Sequence, residues 1–228
     1  MAARGPAGIA FFIAALARAY GVKRPPPRRD RPPALEETIL TILSQNTNDQ
    51  NRDRAWRSLR QKFPRWEGVL AAPRRELVAA IRVGGLAEQK AARIQALLAA
   101  VRAREGSFSL ERLCRLPLAE ARDYLLSFQG VGDKTAACVL LFSCGRPAFP
   151  VDTHILRLSR RLGLIPEPAT AREAHERLGR LVPETKMYEL HLNLIAHGRA
   201  VCRARKPECP RCCLKGRCRY YRRMKLGS

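Results

Sequence analysis

Apolar residues recur at helical spacing along most of the chain, and no stretch alternates as a half-buried strand does. Ile94, Leu97, Leu98 and Val101 follow the i, i+3, i+4, i+7 pattern of one helix face. The same periodicity predicts helices over Leu35–Leu43, Asn51–Phe63, Leu118–Leu126, Lys134–Phe142, Ile155–Leu162, Ala171–Leu181 and Tyr188–His197. Glycine and proline punctuate them at Gly84-Gly85, Gly106, Gly130 to Gly132, Gly145 and Pro166 to Pro168. No internal repeat is present. The pattern predicts an all-α fold of many short helices joined by short loops.

The two ends change this picture a little. Arg4 followed by Ala7–Ala17, with Ala-Leu-Ala at its end, imitates a signal peptide. It is too short to span a membrane and reads as an N-terminal core helix. Val22–Pro33, VKRPPPRRDRPP, carries five prolines and five basic residues and reads as an extended linker. Charge then narrows function. Lys and Arg number 43 against 20 acids, a formal net charge of +23. Such an excess suits phosphate neutralisation, each contact releasing a counterion, so nucleic acid is the expected partner.

Eight cysteines do not make a disulfide framework in a chain of 228 residues. Cys114, Cys138 and Cys144 lie in apolar text and read as buried thiols. The others gather at the C-terminal end as Cys202-x6-Cys209-x2-Cys212-x5-Cys218, with Cys213 outside the spacing. Four thiolates in one short, loop-rich segment share a metal centre. The unequal spacing, with a single C-x2-C unit, favours a [4Fe-4S] cluster over zinc. Arg203, Arg205 and Lys206 lie inside the first interval, so the metal would clamp a basic, phosphate-contacting loop. A thiolate metal site and DNA both place the protein inside the cell, cytoplasmic and nucleoid-associated.

The candidate chemistry sits in Leu126–Ala137, LSFQGVGDKTAA. Gly130 and Gly132 permit a tight turn with φ > 0 and close approach of another backbone. The helix that follows begins with unpaired amides, a ready place for a phosphate, and Asp133 reads as its N-cap. Lys134 falls in the first turn, where the macrodipole disfavours a cation and favours the free, nucleophilic amine. Asp152, in Pro150-Val151-Asp152-Thr153-His154, can act as a base toward Lys134 or stabilise positive charge on a sugar ring. It also reads as a helix N-cap, and the two roles are compatible.

Together, the GVG-x-K-T-A hairpin, the VDTH segment and the C-x6-C-x2-C-x5-C spacing resemble the endonuclease III family of the helix-hairpin-helix DNA glycosylase superfamily. The likeness runs from Leu35 to Cys218. Ile42–Thr47 also resembles the family helix that enters the duplex, and Gly85-Leu86-x3-Lys90-Ala91 resembles another family segment. The resemblance implies two helical domains flanking a DNA cleft. One is a six-helix barrel with the helix-hairpin-helix, over 35–145. The other is an iron–sulfur domain over 146–228, against which residues 1–34 pack. It implies a monomer acting on double-stranded DNA that holds a damaged base or abasic site. Lys134 would attack C1′ of a flipped nucleotide, form a Schiff base and nick the strand by β-elimination, assisted by Asp152. DNA contacts would fall at Gln45, Asn46, Gly130, Gly132, Thr135, His154, Arg203, Arg205 and Lys206. The glutamine that fills the vacated stack maps to Gln45 or Asn46. Three departures bear on which damage is taken: Phe128-Gln129 before the hairpin, Asp133 in place of a basic residue, and no obvious bulky wedge at Gly85–Glu88. An abasic-site lyase, a mismatch glycosylase and a non-catalytic iron–sulfur DNA-binding module are the competing readings.

Overall fold

A computed structural model describes residues 6–226, and every regular element among them is helical. In chain order these are α1 (Pro6–Tyr20), α2 (Ala34–Leu43), α3 (Asp49–Lys62), α4 (Trp66–Ala71), α5 (Arg74–Ile81), α6 (Ala87–Glu105), α7 (Leu118–Leu126), α8 (Asp133–Cys138), α9 (Thr153–Leu162), α10 (Ala171–Leu181), α11 (Met187–Ala200) and α12 (Arg219–Leu226). The chain forms two compact units. Arg28–Arg146 makes one, and residues up to Pro27 join those from Pro147 onward in the other.

In the unit of Arg28–Arg146 the apolar stripe of α6 is fully used: Ile94, Leu97, Leu98 and Val101 are all at most 1% exposed. Burial of each such side chain stabilises by about 1.5–3 kcal/mol. Helix α5 packs between α3 and α6, and α2 packs against α8. Helix α6 stops at Gly106, whose φ of 68° is the left-handed cap that glycine supplies without strain. After α8 the backbone widens into a π-turn over Val139–Ser143, where the Cys144 N–H donates to the Val139 carbonyl at 3.1 Å.

One expectation fails here. Cys114 and Cys144 form a disulfide, so Cys138 is the buried free thiol of the three. The short 3₁₀ turn at Glu111–Arg115 and the end of the π-turn bring their Cα atoms to 4.9 Å, which sequence periodicity cannot show. Arg146 secures the same joint, donating to the carbonyls of Cys114 at 3.3 Å and Leu116 at 3.1 Å.

In the other unit α1 is the core helix its pattern predicts. Ile9, Phe12 and Leu16 are buried on the face that packs against α11. Helix α9 contacts α10, α11 and α12 and so forms the centre of the unit. The Pro-rich linker is extended, apart from one 3₁₀ turn at Arg28–Asp30. Among the described residues no helix is long and apolar enough to cross a membrane.

Candidate active-site residues and cysteine centre

Helix α7 runs into the Gly130–Gly132 turn and α8 leaves it. Gly130 is required twice over: its φ is +86°, and a Cβ there would meet Arg93 Cδ at 2.8 Å. Gly132 differs from the expectation. Its φ is −102°, open to any residue, and a Cβ would meet nothing within 4 Å. Its bareness leaves open space beside the turn. Gly132, not Asp133, is the N-cap, because helical geometry starts one residue earlier than the polar pattern suggests. Asp133 is the first residue inside α8, and its carboxylate accepts from Arg122 Nη2 at 2.5 Å. That pairing offsets the acid which stands where a basic residue was expected.

Lys134 follows, half-buried in the first turn of α8, while Thr135 is buried. Glu37 on α2 faces this lysine. Burial pushes the Glu37 carboxyl up to about 7; the field of Lys134, a hydrogen bond from Thr41 and the field of Arg52 pull the other way. Thr41 Oγ1 donates to Glu37 Oε1 at 3.2 Å. Nothing in the sequence marks Glu37 for this place, because only the packing of α2 on α8 brings it near.

The expected duplex-entering helix ends at Leu43, and Ser44–Asn46 form a turn. Asn46 is exposed with φ of 51°, a left-handed conformation that asparagine tolerates. Gln45 Oε1 accepts from Arg93 Nη1 at 2.6 Å, so one arginine joins the Gln45 turn to the Gly130 turn. Lys90 is fully buried and donates to the carbonyls of Leu43 and Gly84, both at 2.7 Å. It ties the end of α2 to the turn before Leu86. Leu86 is 50% exposed with φ of 49°, so this loop does present a bulky apolar side chain.

Asp152 is the N-cap of α9, its Oδ1 accepting from the Ile155 N–H at 2.7 Å. Two histidines hold the strand of chain before it. His175 Nδ1 lies 3.1 Å from the Phe149 carbonyl and His191 Nδ1 lies 3.0 Å from that of Pro150. His154 packs on Gly198 and meets Arg157 Nη2 at 3.1 Å.

Cys202, Cys209, Cys212 and Cys218 line one largely apolar cavity with Leu158, Leu162 and His197; exposed Cys213 does not. Burial pushes the Cys212 thiol up to about 12 and also raises those of Cys209 and Cys218. Bare thiolates are therefore disfavoured there without a cation. Among the described residues no three His, Cys, Asp or Glu side chains converge as ligands of a single ion. Two arginines of α9 brace the segment. Arg157 donates to the Cys202 carbonyl at 2.9 Å, and Arg161 donates to the carbonyls of Arg203 at 2.7 Å and Ala204 at 3.0 Å. Their i, i+4 spacing on α9 is the one sign of this role that the sequence carries. Arg203 pairs with Glu208 at 3.2 Å, while Arg205 and Lys206 are exposed.

Residues 39–184 match the HhH-GPD superfamily of base excision DNA repair proteins. Endonuclease III of Thermotoga maritima is 33% identical over 207 residues, 91% of this chain and 92% of that protein. The chain belongs to the endonuclease III family. It is thus an endonuclease III-like DNA glycosylase of base excision repair. An Arabidopsis thaliana protein named as a DNA glycosylase is 37% identical over 172 residues, and the chain spans 59% of its length. A trapped endonuclease III–DNA covalent intermediate superposes with a TM-score of 0.82 and 28% identity, over 96% of this chain and 98% of that one.

Proposed function

We propose that the chain is a bifunctional DNA glycosylase and abasic-site lyase that excises oxidised pyrimidines, with Lys134 as nucleophile. The observation that carries this reading is a half-buried lysine in the first turn of a helix entered through a bare glycine turn. Likeness to a solved covalent endonuclease III–DNA intermediate supports it. The Lys134 amine attacks C1′ of the flipped nucleotide, and the base leaves with the electrons of the glycosidic bond. The amine proton then passes to the ring oxygen O4′ as the C1′–O4′ bond breaks, which opens the sugar and leaves C1′ joined to Lys134 as a Schiff base. Abstraction of a C2′ proton then expels the 3′ phosphate, and water releases the lysine. Asp152, anchored as a cap and backed by two histidines, assists the displacement as base or by stabilising positive charge on the sugar.

The chain acts as a monomer on duplex DNA inside the cell, at the nucleoid. Gln45, Asn46, the backbone of Gly130, Gly132 and Thr135, His154, Arg203, Arg205 and Lys206 contact the DNA, and Leu86 enters the base stack as an apolar wedge. Cys202, Cys209, Cys212 and Cys218 hold a [4Fe-4S] cluster. Sulfurs that ring a cavity fit a group in which each takes a different iron. The cluster supplies structure, fixing the basic loop of Arg203 to Lys206.

A panel of lesion duplexes tests the activity. Release of thymine glycol, with nicking of an abasic duplex, is the expected result. Nicking without base release would leave a lyase and overturn the oxidised-pyrimidine assignment. The purified protein is expected to be brown with broad blue absorbance; a colourless, folded protein holding one zinc would contradict the cluster.

A further inference from the structure

Beyond the loop of Arg203 to Lys206, the basic text continues to the end of the described chain. From Arg203 to Lys225 ten basic residues accompany one acid, Glu208. Glu208 is already engaged, pairing with Arg203 at 3.2 Å and Arg211 at 2.8 Å. Helix α12, RYYRRMKL, therefore carries Arg219, Arg222, Arg223 and Lys225 with no acid of its own. All four are exposed. Among the described residues Arg219 and Arg222 have no acidic partner, and Arg223 reaches Glu167 only at 4.0 Å.

The placement is unfavourable for the helix itself. Arg219 opens α12, against the macrodipole. Arg219, Arg222 and Arg223 stand at i, i+3 and i+4, where each like-charge pair destabilises by about 0.2–0.5 kcal/mol. Packing holds the helix regardless. The Arg161 guanidinium lies 4.7 Å from the Tyr220 ring centroid, and the Arg219 stem lies over Gly163 at the end of α9, Cδ 3.3 Å from a Cβ built there. Arg219, Arg222 and Arg223 are thus exposed at neighbouring positions of one helix, and an external polyanion would relieve their repulsion.

We propose that α12 is a second phosphate-contacting element, laying Arg219, Arg222 and Arg223 against the backbone of duplex DNA. It rests on the reading of the chain as a DNA-processing protein and adds a surface to it. Duplex DNA is the favoured occupant over an anionic membrane, because the family acts in DNA repair and the helix has only eight residues.

The test is binding of the full chain to a fluorescein-labelled, undamaged duplex between about 50 and 200 mM KCl. The slope of log K against log salt should fall by about 0.9 for each lost phosphate contact, hence by about 2–3 in Arg219→Gln/Arg222→Gln/Arg223→Gln. Affinity near 150 mM should drop about 30–170-fold by the same relation, taken from about 1 M salt where the two proteins converge. The corresponding triple Arg→Lys variant should keep the slope; a fall there would place the effect in the fold and overturn the proposal. An unchanged slope in the Gln variant overturns it. So does an equal fall on changing Arg54, Arg57 and Arg75 to Gln, which would make net charge the cause. Loss of binding to phosphatidylserine vesicles with DNA binding intact would assign the helix to membranes and overturn it as well. Undamaged DNA undergoes no chemistry, so failure here is distinct from failure of Lys134, which covalent trapping by the unaltered chain decides.

Discussion

Replacing Glu37 by Gln should make the protein more stable at neutral pH. Burial pushes the Glu37 carboxyl from 4.5 up to about 7. The folded state then binds this proton more tightly than the unfolded chain does. The group favours folding at pH below 4.5, and that advantage is lost as pH rises through about 7. The gap corresponds to about 3.4 kcal/mol at about 1.36 kcal/mol per pH unit. Glu37 is only half-buried, so solvent screens part of this and ~2 kcal/mol remains. Gln keeps an oxygen for Thr41 and removes the charge. Urea unfolding of both proteins, followed by circular dichroism from about pH 4.5 to 8, isolates the group, since the other titrations are common to both. The two should be equally stable at the acid end and diverge by ~2 kcal/mol in favour of Gln at the alkaline end. A difference that does not vary with pH, or a Gln variant less stable at pH 8, would refute the argument.

Other outcomes follow from the same contacts. Gly130→Ala should cost about 1–2 kcal/mol, because φ is left-handed and Arg93 Cδ, 2.8 Å from the Cβ position, would have to shift; Gly132→Ala should leave thermal stability within about 0.5 kcal/mol while weakening duplex binding. Lys90→Met strands the buried carbonyls of Leu43 and Gly84, and urea unfolding should show a loss of about 1–4 kcal/mol. His191→Ala should slow single-turnover base release about 10–100-fold by loosening the segment before Asp152, whereas His191→Asn, which keeps a donor toward Pro150, should retain most of it.

Much of this was legible in the sequence. Helices α7 and α10 fall where periodicity predicts them, since their apolar positions repeat cleanly. Helices α4, α5 and α12 do not stand out in the sequence: α4 buries only Val69, α5 opens on Arg-Arg-Glu, and α12 has no fully buried residue. The glycine turn, Lys134, Asp152 and the cysteines stand out because each departs from what packing alone would select. The supporting side chains do not. Arg93, Lys90, Glu37 and the Cys114–Cys144 bond acquire their roles from partners tens of residues away, through contacts that only the tertiary packing makes. Lys90 shows the difference most clearly, being a surface-type residue in the text and the most completely buried cation in the fold.

The central claim is that Lys134 bonds to the sugar, and reductive trapping tests it most directly. Purified protein incubated with an abasic duplex and borohydride should give a covalent protein–DNA adduct, with the DNA remnant mapping to the peptide that contains Lys134. Lys134→Ala should give no adduct while still binding the duplex. Absence of an adduct from intact, folded protein, or an adduct carried by a different residue, would contradict the account.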